Sequence, residues 1–597
     1  MDLKKMIKVK RVWLVGMLAT FFFACSSDEE ELNVSNDFTI STQELVFDEQ
    51  GGSKSFSVES RGEVEVTCAA SWCKIEQMYI QKQKYTVSLE PNPHMDTRET
   101  TINVKSGMIG KSIVVRQSGT QGIQLVGESA YVVNVTGGDL DIKLKATGEY
   151  QVTSNGYWIR EKSKTSSGVN ESVLTLVISP NSMPIDRKGM VTIASGNLTP
   201  LKITITQNKK EYAKNASITE GEAAEVARQI GLGWNLGNQF DSNNNGVSGE
   251  TLWGNPAVTQ ATFDKLAAAG FTAVRIPITW MGQFGDGPAY TIKESWLGRI
   301  AEVVGYARNA GLKAVINMHH DGADSAWWLS IKDAAKNDAE NERIKTIYAS
   351  LWSQIANKFK DYGSFLIFES MNEIHDGGWG WGDNRKDGGK QYRILNEWNQ
   401  LFVDAVREVG GENLNRYLAV TGYCADPDLT MEHLTLPNDR VKNKLLVAVH
   451  YYSPYEYAIN ADFSEWGHTA DAKNKPNYGN EEDLKKMFGK LKEKFVSKGI
   501  PVYIGEMGSV HRSTERAESF RKYYLEYVCK AARTYGMAPF YWDNGTTGSG
   551  KENFGLFNHG TGAFINNAED IVYKMVEGYF TDDELYTLDV VYNNAPN

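Results

Sequence analysis

Ala314-Val315-Ile316-Asn317-Met318-His319-His320 is a short apolar run that closes on polar residues, and seven other segments of the chain share its form. Three lie in the same half of the series: Gly231-Leu232-Gly233-Trp234-Asn235, Thr272-Ala273-Val274-Arg275 and Phe368-Glu369-Ser370-Met371-Asn372-Glu373. The other four end near Thr421, Tyr452, Glu506 and Trp542. Helix-length amphipathic segments, among them 256–269, 295–310, 341–362 and 397–409, fall between these runs. Strand-like runs alternating with helices argue for a parallel sheet wrapped by helices. Eight such pairs over roughly 370 residues predict an α/β fold, a (β/α)8 TIM barrel over 213–581, with the polar run ends gathered at its C-terminal mouth.

Two of the runs end on a glutamate, Glu373 and Glu506. Cleaving a glycosidic bond needs an acid for the leaving oxygen and a carboxylate facing the anomeric carbon, so this pair suits that chemistry. The net charge of −11, with no Lys/Arg stripe in the mature part, argues against a nucleic-acid partner. A neutral substrate fits better, and 28 tyrosines and 15 tryptophans offer faces on which sugar rings could stack, although aromatics are more often core.

The N-terminus carries Lys4, Lys5, Lys8, Lys10 and Arg11, then an apolar run from Val12 to Phe23 that is too short for a permanent membrane helix. It reads as a signal peptide, 1–24. Phe22-Phe23-Ala24-Cys25 resembles a lipoprotein processing site, with Cys25 as the lipidated residue. The acidic tract Asp28-Glu29-Glu30-Glu31, within a tether over 25–36, resembles a surface-export signal, so the expected location is the outer surface of a Gram-negative cell. The alternative is an ordinary signal peptide with an incidental cysteine. Cys68, Cys73, Cys424 and Cys529 form neither a disulfide framework nor a zinc pattern.

Between these regions the chain reads as two copies of one all-β module, 37–118 and 122–208. Ser71-Trp72-Cys73-Lys74-Ile75 pairs with Gly156-Tyr157-Trp158-Ile159, and each copy closes on a strand ending in glutamine, Gln117 and Gln207. Period-two alternation predicts immunoglobulin-like sandwiches. The pattern resembles BACON modules. Trp72 or Trp158 could bind carbohydrate, but the spacer reading is favoured. The short linker Lys209-Lys210-Glu211-Tyr212 implies that the second module packs near the barrel, and residues 582–597 read as a tail.

Gly233-Trp234-Asn235-Leu236-Gly237-Asn238, Glu250-Thr251-Leu252-Trp253-Gly254-Asn255-Pro256, Val274-Arg275-Ile276-Pro277, Met318-His319-His320, Met371-Asn372-Glu373, Val449-His450-Tyr451-Tyr452, Gly505-Glu506-Met507-Gly508 and Trp542-Asp543-Asn544-Gly545 together resemble glycoside hydrolase family 5, subfamily 4. The resemblance implies a retaining hydrolase acting on β-1,4-glucans such as cellulose derivatives, mixed-linkage glucan or xyloglucan. Glu373 would be the acid/base, its pKa raised by burial or by its partner. Glu506 would be the nucleophile, with Arg275 and Tyr452 donating to it and lowering its pKa, and the two carboxyl groups about 5 to 5.5 Å apart. Asn372 would reach the sugar 2-hydroxyl and His450 would orient Glu373. His319, His320 and Asn235 would contact the sugar beside the cleaved bond, over a floor made by Trp542.

Trp327, Trp328, Trp379 and Trp381 fall on loops after strand ends, where outer sugar subsites or structural roles are equally open. Asp241-Ser242-Asn243-Asn244-Asn245-Gly246 begins like a calcium loop, but Leu252 stands where the bidentate glutamate belongs, so it reads as a surface turn. No metal is expected at His319-His320-Asp321, because neighbouring residues on a strand point to opposite faces. No cofactor is expected. The expected partners are a β-glucan chain and, through Cys25, the outer-membrane lipid; the protein reads as a monomer. Competing readings are a surface adhesin on a degenerate barrel, or a mannanase or xylanase. Among glucans, xyloglucan or mixed-linkage glucan is favoured, since a surface enzyme makes the first internal cut in a soluble polymer.

Overall fold

A computed structural model describes residues 38–597, apart from 82, 169, 214–216 and 323–326. The signal-like run, Cys25 and the acidic tether lie outside the described residues.

The first module is a sandwich of two four-stranded sheets. Alternate residues of its strands, including Phe56, Val58, Val87, Ile102, Ile113 and Val115, fill the space between the sheets. The closing glutamine has a structural purpose. Gln117 is fully buried, donates to the carbonyls of Glu49 and Glu90, and accepts from Arg98 Nε at 2.9 Å. The Arg98 guanidinium lies 4.3 Å from the centre of the Trp72 ring. In the second module Arg187 Nε donates to Gln207 Oε1 at 2.8 Å and its guanidinium lies 4.4 Å from the centre of the Trp158 ring. The repeat seen in the sequence is therefore a repeated Trp-Arg-Gln knot. It occupies one face of each tryptophan, and Trp158 is buried outright.

The second sandwich docks on the barrel. Met183 is fully buried in the core that the barrel strands share with their helices, the Tyr157 ring stacks on Tyr586 at 4.8 Å, and Ser182 Oγ accepts from Asp582 N at 3.0 Å. Residues 582–597, expected as a tail, instead pack. Helix Leu588–Asn593 lies there, with Tyr586, Leu588, Val591 and Ala595 buried against the catalytic domain, because each is apolar and reaches its core.

The barrel itself is closed and parallel: Gly233–Leu236, Ala273–Ile276, Lys313–Ile316, Leu366–Glu369, Leu418–Thr421, Leu445–Tyr451, Val502–Met507 and Met537–Asp543 in sequence order, the last pairing with the first. All eight expected strands are present, though the fourth ends at Glu369 and leaves Glu373 four residues beyond it. Strand residues divide by parity between two cores. Val274, Ile316, Phe368, Val420, Val449 and Ile504 face the surrounding helices. Ala273, Val315, Ile367, Ala419, Ala448 and Phe540 fill the interior, closed from below by helix Ala223–Ile230. At Gly233 a side chain would collide with Phe540, whose ring fills that part of the interior.

Two residues further along six of the strands the inward positions turn polar: Asn235, Arg275, Asn317, Glu369, Thr421 and His450. The site is thus one layer of the barrel's own interior, resting on the apolar layer beneath. Removing a buried methionine side chain costs about 2–5 kcal/mol. Met183→Ala should therefore lower the melting temperature of the catalytic domain while leaving KM unchanged, as read by thermal denaturation beside steady-state kinetics.

Candidate active site

Parity alone would point Glu506 the wrong way, because Tyr503 faces the interior and Ile504 the outer core. A register slip corrects this. Val449 pairs with Ile504 but His450 pairs with Glu506, so Gly505 is an extra residue on the seventh strand. Bulges of this kind re-aim a side chain beside a site. Gly505 also leaves room for His450, whose Nε2 would lie 3.1 Å from a Cβ at that position. The Gly505 carbonyl accepts from Asn235 Nδ2 at 2.8 Å, and the same amide lies 3.3 Å from the Tyr541 carbonyl. Asn235 is fully buried, so the expected sugar contact is corrected: its amide holds the bulge.

Arg275 joins both halves of the site. Its Nη1 donates to Glu506 Oε1 at 2.8 Å and to Asn235 Oδ1 at 3.0 Å, and its Nη2 donates to Asn372 Oδ1 at 2.7 Å. The remaining donors form a two-bond fork on Glu369, Nε to Oε2 at 2.9 Å and Nη2 to Oε1 at 2.7 Å. Tyr452 donates to Glu506 Oε2 at 3.1 Å. An oxygen of Glu373 and one of Glu506 lie within 4.8 Å of each other, with His450 between them. His450 Nδ1 is 2.6 Å from Glu373 Oε1 and 3.6 Å from Glu506 Oε2.

The charges depart from expectation. Burial pushes the Glu373 carboxyl up, but the charge and hydrogen bond of His450 outweigh it and bring it below its usual range. Burial pushes Glu506 up, and the Glu373 charge adds to this against the pull of His450 and Arg275, so the net shift is upward. Both directions are the reverse of those expected from the sequence. Burial lowers His450, but the two carboxylates outweigh it and raise the imidazole. A fully protonated His450 would bury an Nε2–H with no hydrogen-bond partner among the described residues, at a cost of about 1–3 kcal/mol. His450 and Glu373 are in direct hydrogen-bond contact and titrate together.

His319 is buried and stays neutral, its pKa held well below the usual value by burial and by the nearby cations His320, Arg275 and His450. It lies parallel to Trp542, with ring centres 5.7 Å apart, and Asn372 Nδ2 is 3.3 Å from its Nε2. His319 and His320 sit beyond the strand end at Ile316, so strand alternation does not separate them. Their rings are 4.4 Å apart, and together with Asp241 they bring one ligand atom each within 4.8 Å, which corrects the geometric reason for expecting no metal there. Asp241 is fully buried and accepts from the backbone N–H groups of Asn238 and Gln239, whereas Asn244 and Asn245 of the same segment form the expected exposed turn.

The tryptophans separate. Trp328 is buried, its indole donating to Asp321 Oδ1 at 2.8 Å, and so lines no subsite. Trp327 is half-buried. Trp379, stacked on His375 at 4.1 Å, is 59% exposed and Trp381 is 80% exposed. Trp253, 44% exposed and 5.7 Å from His320, is a further open aromatic at the mouth.

The sequence profile of the family Cellulase (glycosyl hydrolase family 5) matches residues 236–548, more than half of the chain. The chain belongs to glycosyl hydrolase family 5. A BACON profile covers residues 62–118. A GH5-4 broad specificity endoglucanase from Bacteroides salanitronis is 57% identical, with a TM-score of 0.61 over 63% of this chain and 99% of that one. Endoglucanase A of Paenibacillus barcinonensis is 38% identical over 58% of this chain and 88% of its own length. A xyloglucan-specific endo-beta-1,4-glucanase of Bacteroides ovatus is 30% identical over 68% of this chain and 83% of its own.

Within this family 5 barrel, reading the sequence missed Glu369, Asn317, Tyr503 and Trp253. Glu369 and Asn317 carried a signal: each is a polar residue two places after an interior apolar one. The bulge carried none, because pairing register is not written in one strand. Asn235→Ala should release the Gly505 carbonyl and lower kcat at least ten-fold without loss of secondary structure, as measured by steady-state rates and circular dichroism. His450→Asn leaves the acid proton on a carboxyl alone, whose ordinary pKa of about 4.3 is below that of imidazole. The alkaline limb of its kcat/KM profile should therefore move to lower pH.

Proposed function

We propose that Glu373 is the acid/base and Glu506 the nucleophile of a retaining endo-β-1,4-glucan hydrolase. The observation that carries this is the approach of the two carboxyl groups to within 4.8 Å, oxygen to oxygen. A retaining site has its carboxyl groups about 5 to 5.5 Å apart, whereas an inverting one needs roughly 6.5–9.5 Å to admit a water. Glu506 attacks the anomeric carbon while the Glu373–His450 pair delivers its proton to the leaving oxygen. Water then takes the reverse path, losing its proton to Glu373 as the glycosyl–Glu506 bond breaks. The chemistry needs two carboxylates and water.

His319, neutral and backed by Trp542, and Asn372 face the sugar in this reading. Trp379 and Trp381, exposed on the segment that follows Glu373, and Trp253 beside His320 are proposed as outer sugar platforms. For substrate, we favour xyloglucan or mixed-linkage glucan, a reading supported by the exposed aromatic side chains of Trp253, Trp379 and Trp381 and by the similarity to glucanases of broad and of xyloglucan specificity. Cys25 is proposed as a lipid anchor that holds the enzyme at the outer surface of the cell.

The test is reducing-end release from xyloglucan, barley β-glucan, carboxymethylcellulose, glucomannan and xylan side by side, with Glu506→Ala as control. Xyloglucan or β-glucan should be cut fastest, and the variant should lose all release. Carboxymethylcellulose cut faster than either overturns the substrate reading, a dominant glucomannan or xylan rate makes it a mannanase or xylanase, and no release at all favours an adhesin.

A further inference from the structure

The Arg275–Glu369 fork is the part of the site that the reaction as described does not use. Glu369 is completely enclosed two positions above Ile367 of the interior, and it is a full charge. Four donors saturate it: Arg275 Nε and Nη2, Asn317 Nδ2 at 2.9 Å, and the Tyr503 hydroxyl. No sugar can reach it, because those donors and the strand walls surround it. A buried carboxylate costs several kcal/mol to desolvate and survives only when fully paired, so its presence beneath the site calls for a reason.

We propose that Glu369 is a positioning residue for the nucleophile: it takes the bidentate face of Arg275 and cancels its charge, so that Glu506 receives a single N–H and keeps its basicity. The donor count makes the case. Arg275 has five N–H groups and the structure accounts for all of them, two on Glu369 and one each on Asn372, Asn235 and Glu506. Were Glu369 uncharged, the guanidinium would be an uncompensated cation in a low-dielectric interior with Glu506 as its nearest anion. The natural outcome is a two-bond Arg–carboxylate pair on Glu506, which lowers its energy before reaction and must be broken as the carboxylate becomes an ester. Interaction energy spent on the free carboxylate raises the barrier.

The other groups around Glu506 do not replace this. Tyr452 donates to its second oxygen, His450 is committed to Glu373, and His319 is neutral at 3.9 Å. Glu373, His320 and Glu552 contribute charge from the loops beyond the fourth, third and eighth strands respectively. Glu369 itself is held below the usual carboxylate range, since Arg275 and Tyr503 together with the more distant His450 outweigh its burial.

The inference rests on Glu506 being the nucleophile, and the two failures are distinguishable. Trapping with an aryl 2-deoxy-2-fluoro-cellobioside followed by peptide mass spectrometry should place the label on Glu506; label elsewhere sinks the assignment of the nucleophile and this proposal with it, whereas label on Glu506 with the Glu369 variants behaving otherwise than below sinks this proposal alone. For Glu369→Gln in the full chain, the acid limb of kcat/KM should move down by about one pH unit, since an uncompensated cation beside a carboxylate lowers its pKa. The trapping rate should fall about ten-fold or more, with KM for the glucan little changed. A folded Glu369→Gln protein that loses rate with its acid limb unmoved has lost only structure, and that result overturns the proposal. Glu369→Asp keeps the charge and should keep the wild-type acid limb even where its rate falls; an acid limb displaced in that variant also overturns it, and this holds should the glutamine variant fail to fold.

Discussion

A buried guanidinium is the constraint around which this barrel is arranged. Arg275 cannot lose its proton, so placing it at the centre of a dry interior obliges the fold to supply five acceptors and at least one anion. Those acceptors come from strands one, four and seven and from the segment after strand four. Each is thereby fixed to the same planar fork: Glu506 Oε1 and Asn235 Oδ1 on one nitrogen, Asn372 Oδ1 and Glu369 Oε1 on another. Removing one partner of such a pair strands a charge and costs about 3–5 kcal/mol. The geometry that chemistry requires is thus also the geometry that minimises the cost of burying the charge.

The layered interior explains why the site lies where it does. A parallel barrel strand alternates inward and outward residues, and the lower inward layer must be apolar to pack against its neighbours and helix Ala223–Ile230. One step towards the mouth, the same parity can carry polar groups, provided each finds a partner. Glu506 is the exception to parity, and the protein spends one extra residue, Gly505, and one amide, Asn235, to turn it inward.

Much of this was legible in the sequence, for a physical reason. Eight apolar runs that end on polar groups are what a doubly covered strand with a functional end must look like, and the eight strands appear where those runs lie. The two glutamates, Arg275, His450 and Tyr452 could be picked out because they stood at run ends. Glu369 was passed over, although its parity marked it, since it sits inside a run and its partner is a residue 94 positions earlier. Asn235 was placed correctly on its strand and given the wrong contact, because a run end cannot tell a group facing the cleft from one facing a neighbouring backbone. His319 and His320 were treated as strand residues and so assigned opposite faces, whereas the strand stops at Ile316. Trp328 and Trp381 occupy similar loops and read alike, yet an acceptor for the indole N–H, Asp321, draws one into the core while the other stays in solvent.

The charge of the assembled site follows from these contacts. With Glu506 as the proposed nucleophile and Glu373 as the proposed acid, Arg275 and Glu369 cancel, the Glu373–His450 pair is neutral while it holds the proton it will donate, and Glu506 is the negative charge left among these five groups. The transition state of glycosyl transfer carries positive charge on the ring, and a fixed negative charge in a dry cleft stabilises it without any rearrangement at the moment of reaction. When the glycosyl ester forms, that charge is consumed and the cleft becomes neutral around Arg275 and Glu369. Deglycosylation restores it. A site with the fork but no second carboxylate would begin neutral and offer the oxocarbenium ion nothing. One with both carboxylates but no Glu369 would have Glu506 committed to Arg275. Among Arg275, Glu369, Glu506 and the Glu373–His450 pair the anions exceed the cations by one in this reading, and the surplus anion is the one proposed to bond to the substrate.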